Sequence, residues 1–323
     1  MATKTQALLL ALDYGGTKHT AGLLVPGECQ WLAHVRTFSP PGADARYDQA
    51  TMLRMAHELL TRHPGRLVAV GVSFGGPVDA ARGMVRLSHH VPGWEETPLR
   101  DLLQAEFGVP AAVDNDANVA ALGEWRYGAG QGCQSLLYVT VSTGIGGGWV
   151  LGGRIYGGAD GMAGEIGHVV VRPGGAACVC GKRGCLEAEA CGPAMARAVQ
   201  ARLAAEPAAG AHLRALTGGN MGRVTGKLVA EAAAGGDALA QEALDHAARM
   251  LGIGLGGAIN LMNPERIVIG GGVTKSGERY WQIVRETARA HALPQMRVEI
   301  VPAELADDAP LWGAAVLAES VGW

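Results

Sequence analysis

Four times in this chain a strand-length apolar run ends in a cluster of glycines: "ALLLALDYGG", "LVAVGVSFGG", "SLLYVTVSTGIGGG" and "RIVIGGG". Each reads as a buried strand followed by a tight turn, because glycine lets the backbone reverse sharply and approach a ligand closely. Between these runs lie helical patterns. "PAAVDNDANVAALGEW" is a short strand, an Asp/Asn cluster and a helix, and "GGDALAQEALDHAARMLGIGLGGAINLMNPE" is a long helix with Asp237 near its N-cap and a stop at Asn263-Pro264. Alternating strands and helices predict an α/β architecture with ligands bound at glycine-bearing strand ends.

A length of 323 residues predicts two domains, and a net charge of −3 without a basic stripe leaves no face for nucleic acid. The N-terminal run "ALLLAL" is too short for a signal peptide and ends at Asp13, so a cytoplasmic protein without a membrane segment is expected. Its six cysteines are then expected to be reduced, with Cys29 and Cys133 read as buried structural thiols.

Cys178, Cys180 and Cys185 in "CVCGKRGCLE" form the one cysteine cluster, ten residues beyond His168 in "GEIGH". One nitrogen and three sulfurs complete a closed tetrahedral zinc (Zn²⁺) site; the alternative is three reduced core thiols beside a satisfied histidine. The "DYGGTK" turn, with Asp13, Gly15, Gly16, Thr17 and Lys18, offers backbone N–H groups, a hydroxyl and a cation to a phosphate, and a carboxylate to a hydrated magnesium ion (Mg²⁺). Thr143 and Gly144 in "STGIGGG" supply a second such turn. No Walker A loop or dinucleotide fingerprint occurs, so two separated hairpins suggest a nucleotide held between lobes.

With "VIGGGV", which carries Gly271 and Gly272, these turns resemble the phosphate and adenosine motifs of the sugar kinase, actin and Hsp70 fold. The ordered set "DYGGTK", "GVSFGGPVD", "DNDANVAALGE", "STGIGGG", "GEIGH" and "CVCGKRGCLE" resembles the ROK family (repressors, open reading frames, kinases) from residue 8 to about 319. The resemblance implies a two-lobed actin-like ATPase (ribonuclease H-like) fold with an active-site cleft between lobes. It places residues 1–116 plus 306–323 in a smaller lobe, because the last helix folds back in this family, and 117–305 in a larger lobe carrying the zinc knuckle.

The same resemblance implies roles. Asp116 becomes the catalytic base, although Asp114, Asn115 and Asp116 ahead of a helix also read as N-cap residues. Asn115, Asp116, Gly76, Glu165, His168 and Glu187 would contact the sugar, with His168 using its other ring nitrogen for the metal. ATP and a monosaccharide are the expected substrates, transfer to the 6-hydroxyl of glucose the expected reaction, and a homodimer or homotetramer the expected assembly. N-acetylmannosamine, another amino sugar or fructose stay open as acceptors, and polyphosphate as donor. A sugar-sensing transcriptional regulator of the same family is disfavoured, since twelve residues before Asp13 leave no room for a winged helix. Two departures stand out: His90 in "LSHHVPGW", where a typical member has asparagine, and Cys191, where it has serine. Trp94 in "PGW" is placed near the pocket.

Overall fold

The computed structural model describes residues 6–322. From the N-terminus run β1 (Ala7–Tyr14), β2 (Lys18–Leu24), β3 (Trp31–Phe38), α1 (Ala45–Arg62), β4 (Arg66–Phe74), the short β5 (Val78–Asp79) and β6 (Met84–Val85), α2 (Leu99–Phe107), β7 (Ala111–Asn115) and α3 (Asp116–Tyr127). There follow β8 (Ser135–Val141), β9 (Ile145–Leu151), β10 (Arg154–Ile155), α4 (Leu186–Ala190), α5 (Gly192–Ala205), α6 (Ala211–Thr217), α7 (Gly226–Ala234) and α8 (Ala238–Met262). The chain closes with β11 (Arg266–Gly270), α9 (Glu278–His291), β12 (Glu299–Pro302) and α10 (Ala309–Ser320).

Two compact units result. One holds the residues up to Leu136, Gly148–Ala163 and the segment from Ala303 on; the other holds Leu137–Gly147 and Gly164–Pro302. The expected boundary after residue 116 differs from this division, which keeps α3 in the first unit because α3 packs along α10.

The first unit is built on a sheet of order β3-β2-β1-β4-β7, in which β1, β4 and β7 are parallel and β2 pairs antiparallel with both β1 and β3. Alternate residues of β1 serve opposite faces. Leu10, Leu12 and Tyr14 join Met52 and Met55 of α1 and Leu99 and Leu103 of α2, while Ala11 meets Leu311, Ala314 and Ala315 of α10 and Leu9 meets Ala318. A strand covered on both sides must be apolar throughout, which is why "LLLAL" does not alternate. The edge strand β3 alternates between half-buried and exposed residues instead.

Two glycines permit the approach of α10. A Cβ at Gly71 of β4 would collide with the carbonyl oxygen of Ala314, and one at Gly313 with that of Val119 on α3. The last helix therefore lies backbone against backbone on the first sheet.

The second sheet has the order β10-β9-β8-β11-β12, with β11 parallel to β12. Helix α8 runs as the sequence predicts: the Asp237 carboxylate accepts from Ala240 N at 3.2 Å, and Asn263 ends it in the left-handed region at φ 43°. One expectation fails. Cys133 is buried, but Cys29 is exposed, because it sits in the polar β2–β3 turn "PGECQ" rather than in a strand. Among the described residues no helix is long and apolar enough to cross a membrane.

Candidate active site

In the first unit, the carboxyl ends of three parallel strands bring the chemistry together. Asp13 of β1 pairs in register with Ser73 of β4, which pairs with Asp114 of β7; one residue on, Tyr14, Phe74 and Asn115 form the next row. Glycine turns follow β1 and β4, so the ends stay open where ligands bind in open α/β sheets. Ser73 Oγ donates to Asp13 Oδ1 at 2.9 Å. Asp13 is 4% exposed, and burial lifts its pKa to about 6 against the lowering effects of Ser73, Lys18, His19 and Arg36.

Helix α3 begins at the next position. Asn115 is its N-cap: its Oδ1 accepts from Ala117 N at 3.0 Å, and its Nδ2 donates to Gly76 O at 3.0 Å, tying the helix start to the turn after β4. Asp116 is half-buried, and its Oδ1 accepts from Ala117 N at 2.8 Å. Burial, then the charge of Asp13, raises the Asp116 pKa from 3.8 to about 6. The two carboxylates thus feel one another, and each holds a proton more firmly than in water. Asp114 is buried and occupied locally, its Oδ1 accepting from Asn115 N at 2.7 Å and Asn118 Nδ2 at 3.0 Å.

The β1–β2 hairpin is closed by Gly15 N donating to Lys18 O at 3.0 Å, with Gly16 half-buried and Thr17 exposed at its tip. Lys18 Nζ reaches the backbone oxygen of Asp307 at 3.3 Å. His90 lies against the turn, since a Cβ built on Gly16 would sit 3.1 Å from its ring.

In the second unit, Glu187 of α4 accepts from Ile145 N at 2.9 Å, which brings it beside Thr143 and Gly144 in the turn between β8 and β9. Gly271, at φ 92°, abuts the backbone of Val141 near the same turn, followed by exposed Gly272. A side chain at Gly271 would strike that strand and strain the backbone as well.

Helix α4 starts immediately after Cys185. The ligand atoms of His168, Cys178, Cys180 and Cys185 all lie within 4.8 Å of one another. Cys178 Sγ is 3.7 Å from His168 Nδ1, and Cys180 Sγ is 3.6 Å from Cys185 Sγ. Tetrahedral zinc with bonds near 2.3 Å separates two sulfurs by about 3.8 Å, so the donor set and spacing fit that ion. Left-handed glycines at Gly181 and Gly184 turn the chain so that the sulfurs converge. His168 Nε2 points the other way and lies 4.0 Å from Glu165 Oε2. Glu165 is exposed.

Sequence reasoning overlooked Ser73. Its signal was available in the parallel between "DYGG" and "SFGG", which the strand register now aligns residue for residue.

One family model, described as the ROK family, matches residues 9–321, a span that takes in these glycine turns, the acidic helix start and the Cys/His centre. The chain belongs to the ROK family. A glucokinase of Halalkalibacterium halodurans shares 40% identity with this ROK protein over 260 residues, 79% of this chain and 78% of the relative. Among solved structures, the ROK hexokinase of Thermus thermophilus matches with a TM-score of 0.83 at 36% identity, over 97% of this chain and 98% of that one. The ROK family glucokinase of Streptomyces griseus, solved in complex with glucose and AMPPNP, matches with a TM-score of 0.79 at 34% identity, over 97% and 99%. The two-sheet α/β architecture of this ROK chain is therefore the actin-like ATPase fold, as the motifs led one to expect.

Proposed function

We propose that this chain transfers the γ-phosphoryl group of ATP to the 6-hydroxyl of a hexose, with glucose as preferred acceptor. The observation that carries the reading is the likeness to the Streptomyces griseus glucokinase, which holds glucose and AMPPNP and matches 97% of this chain at 34% identity. In this reading Asp116 accepts the proton of the 6-hydroxyl as that oxygen bonds to the γ-phosphorus and ADP leaves. Its raised pKa makes it a stronger base than an ordinary aspartate while leaving it ionised above neutrality.

Asn115, Gly76, Glu165, His168 and Glu187 orient the sugar. The turns at Gly15, Gly16, Thr17 and Lys18, at Thr143 and Gly144, and at Gly271 and Gly272 hold the nucleotide, the first two through backbone N–H groups aimed at phosphate. Asp13 would hold a water of Mg²⁺, a hard cation suited to its carboxylate, and that ion would neutralise phosphate charge. His168, Cys178, Cys180 and Cys185 would hold zinc with no position left open for a reacting water, so that its part would be structural. A cytoplasmic location and a homodimeric or homotetrameric assembly complete the proposal.

ADP release measured with glucose, mannose, fructose, N-acetylmannosamine and N-acetylglucosamine tests it. Highest kcat/KM with glucose is expected; no nucleotide consumption with any of these sugars defeats the reading. The kcat/KM for glucose is expected to fall at least ~tenfold per pH unit below pH ~6, as protonation removes the base, and to level off above pH ~7. A flat profile down to pH ~4.5 contradicts the assignment of Asp116.

A further inference from the structure

Beneath the glycine turns of the first unit lies a carboxylate to which none of the roles above refers. Asp48, in the first turn of α1, is 2% exposed. Its Oδ1 accepts from His19 Nε2 at 2.7 Å and from the Ser39 hydroxyl at 3.3 Å, and its Oδ2 accepts from Trp94 Nε1 at 3.3 Å. His19 is fully buried, and with Nε2 engaged its Nδ1 has no partner among the described residues. A buried carboxylate and an orphaned ring nitrogen both oppose folding, and apolar side chains in their place would pack without that cost. Stability alone does not account for the network; position does.

The partners of Asp48 border the turns directly. The Trp94 ring meets Tyr14 edge-on at 5.5 Å and 81°, and Phe74 at 4.8 Å and 68°. Tyr14 is the residue before Gly15, and Phe74 the residue before Gly75 and Gly76. On the other limb of the hairpin, His19 follows Lys18, pairs in register with Tyr14 and lies edge-on to its ring at 5.7 Å. Ser39 N donates to Thr17 O at 3.0 Å, and Ala45 N at the start of α1 donates to Pro92 O at 3.0 Å. One side chain is therefore connected to both limbs of the hairpin, to the turn after β4 and to the loop that carries His90.

We propose that Asp48 is a positioning residue for the phosphoryl transfer. By holding Trp94 with one oxygen and His19 with the other, it sets the spacing of the Gly15–Lys18 hairpin, the Gly75–Gly76 turn and the 88–94 loop around Asp13 and Asn115. The inference rests on the proposed kinase activity, so its test includes one readout that needs no turnover.

Asp48→Asn keeps the shape and removes the charge; Trp94→Phe keeps an aromatic ring and removes the donor with the pyrrole half of the indole. Each is expected to lower kcat/KM for glucose at least fivefold, and the double variant to fall no further than the worse single one, because both act through the same contact. Amide hydrogen exchange in residues 14–18 and 88–94 is expected to accelerate at least tenfold in Asp48→Asn, with α2 and α3 unchanged. A smaller loss in Trp94→Phe, losses that multiply in the double variant, or exchange that accelerates evenly through the first unit each overturn the proposal. Should Asp48→Asn fail to fold, Trp94→Phe decides by the same limits. A wild-type chain that phosphorylates no sugar removes the kinase reading, while the exchange pattern still decides whether Asp48 organises these turns.

Discussion

Asp116→Asn is expected to lower kcat for glucose phosphorylation by a factor on the order of 10² to 10⁴, the usual contribution of a positioned general base, while KM changes less than about tenfold. The substitution leaves the N-cap at Asn115 and its bond to Gly76 in place, so the loss reports on proton acceptance rather than on helix α3. A second effect has the opposite sign. The folded-state pKa of about 6 lies above the ordinary 3.8, so the folded chain binds this proton more tightly than the unfolded one. Whatever stability the protonated group contributes is present in full below pH ~3.8 and is lost as pH rises toward 6. At pH 7.5 the wild type bears that loss and the asparagine variant does not, which favours the variant by about 1–2 kcal/mol after allowance for partial exposure. The variant is thus expected to be nearly inactive and to melt a few degrees higher, as read by steady-state kinetics and calorimetry on one preparation. A variant with near wild-type turnover removes Asp116 from the mechanism.

The second large effect concerns the Cys/His centre. Cys180→Ser is expected to lower zinc content from one ion per chain to well below half, and to lower Tm by at least ~5 °C, since a closed thiolate site stabilises the fold around it by several kcal/mol. Cys185 is the N-cap residue of α4, and Glu187 in the first turn of that helix reaches the amide of Ile145. Loss of the ion is therefore expected to raise KM for glucose more than it lowers kcat, because it loosens the proposed sugar ligands Glu187 and His168 and leaves Asp116 untouched. Metal analysis, calorimetry and kinetics check the three parts separately. Unchanged zinc content in the variant refutes the ligand set.

Much of this was legible in the residues because it is local. The limits of α8 follow from Asp237 and from Asn263-Pro264, and the strand ends follow from glycine clusters, since capping and turn chemistry act within a few positions of the chain. The Cys/His centre was legible because three sulfurs in eight residues have few other uses. What depends on pairing between distant segments was not. Nothing in "VSFGG" alone says that Ser73 faces Asp13; that follows from the parallel register of β1 and β4. Nor do the residues around Ala117 reveal that α3 stays with the first unit, which depends on α10, nearly two hundred residues on, reaching the carbonyl of Val119. Cys29 was misread because a cysteine's burial depends on what covers it, and a polar turn offers no cover.

The backbone contact of α10 with β4 and α3 bears on how the protein is made. Residues 309–320 leave the ribosome only after the whole second unit, so the nascent first sheet waits with Leu9 and Ala11 uncovered on one side, and α3 with Val119. During that interval the emerging polypeptide offers a sticky apolar face to chaperones and to its neighbours on the same message. A newly made chain of this design completes its oldest half last.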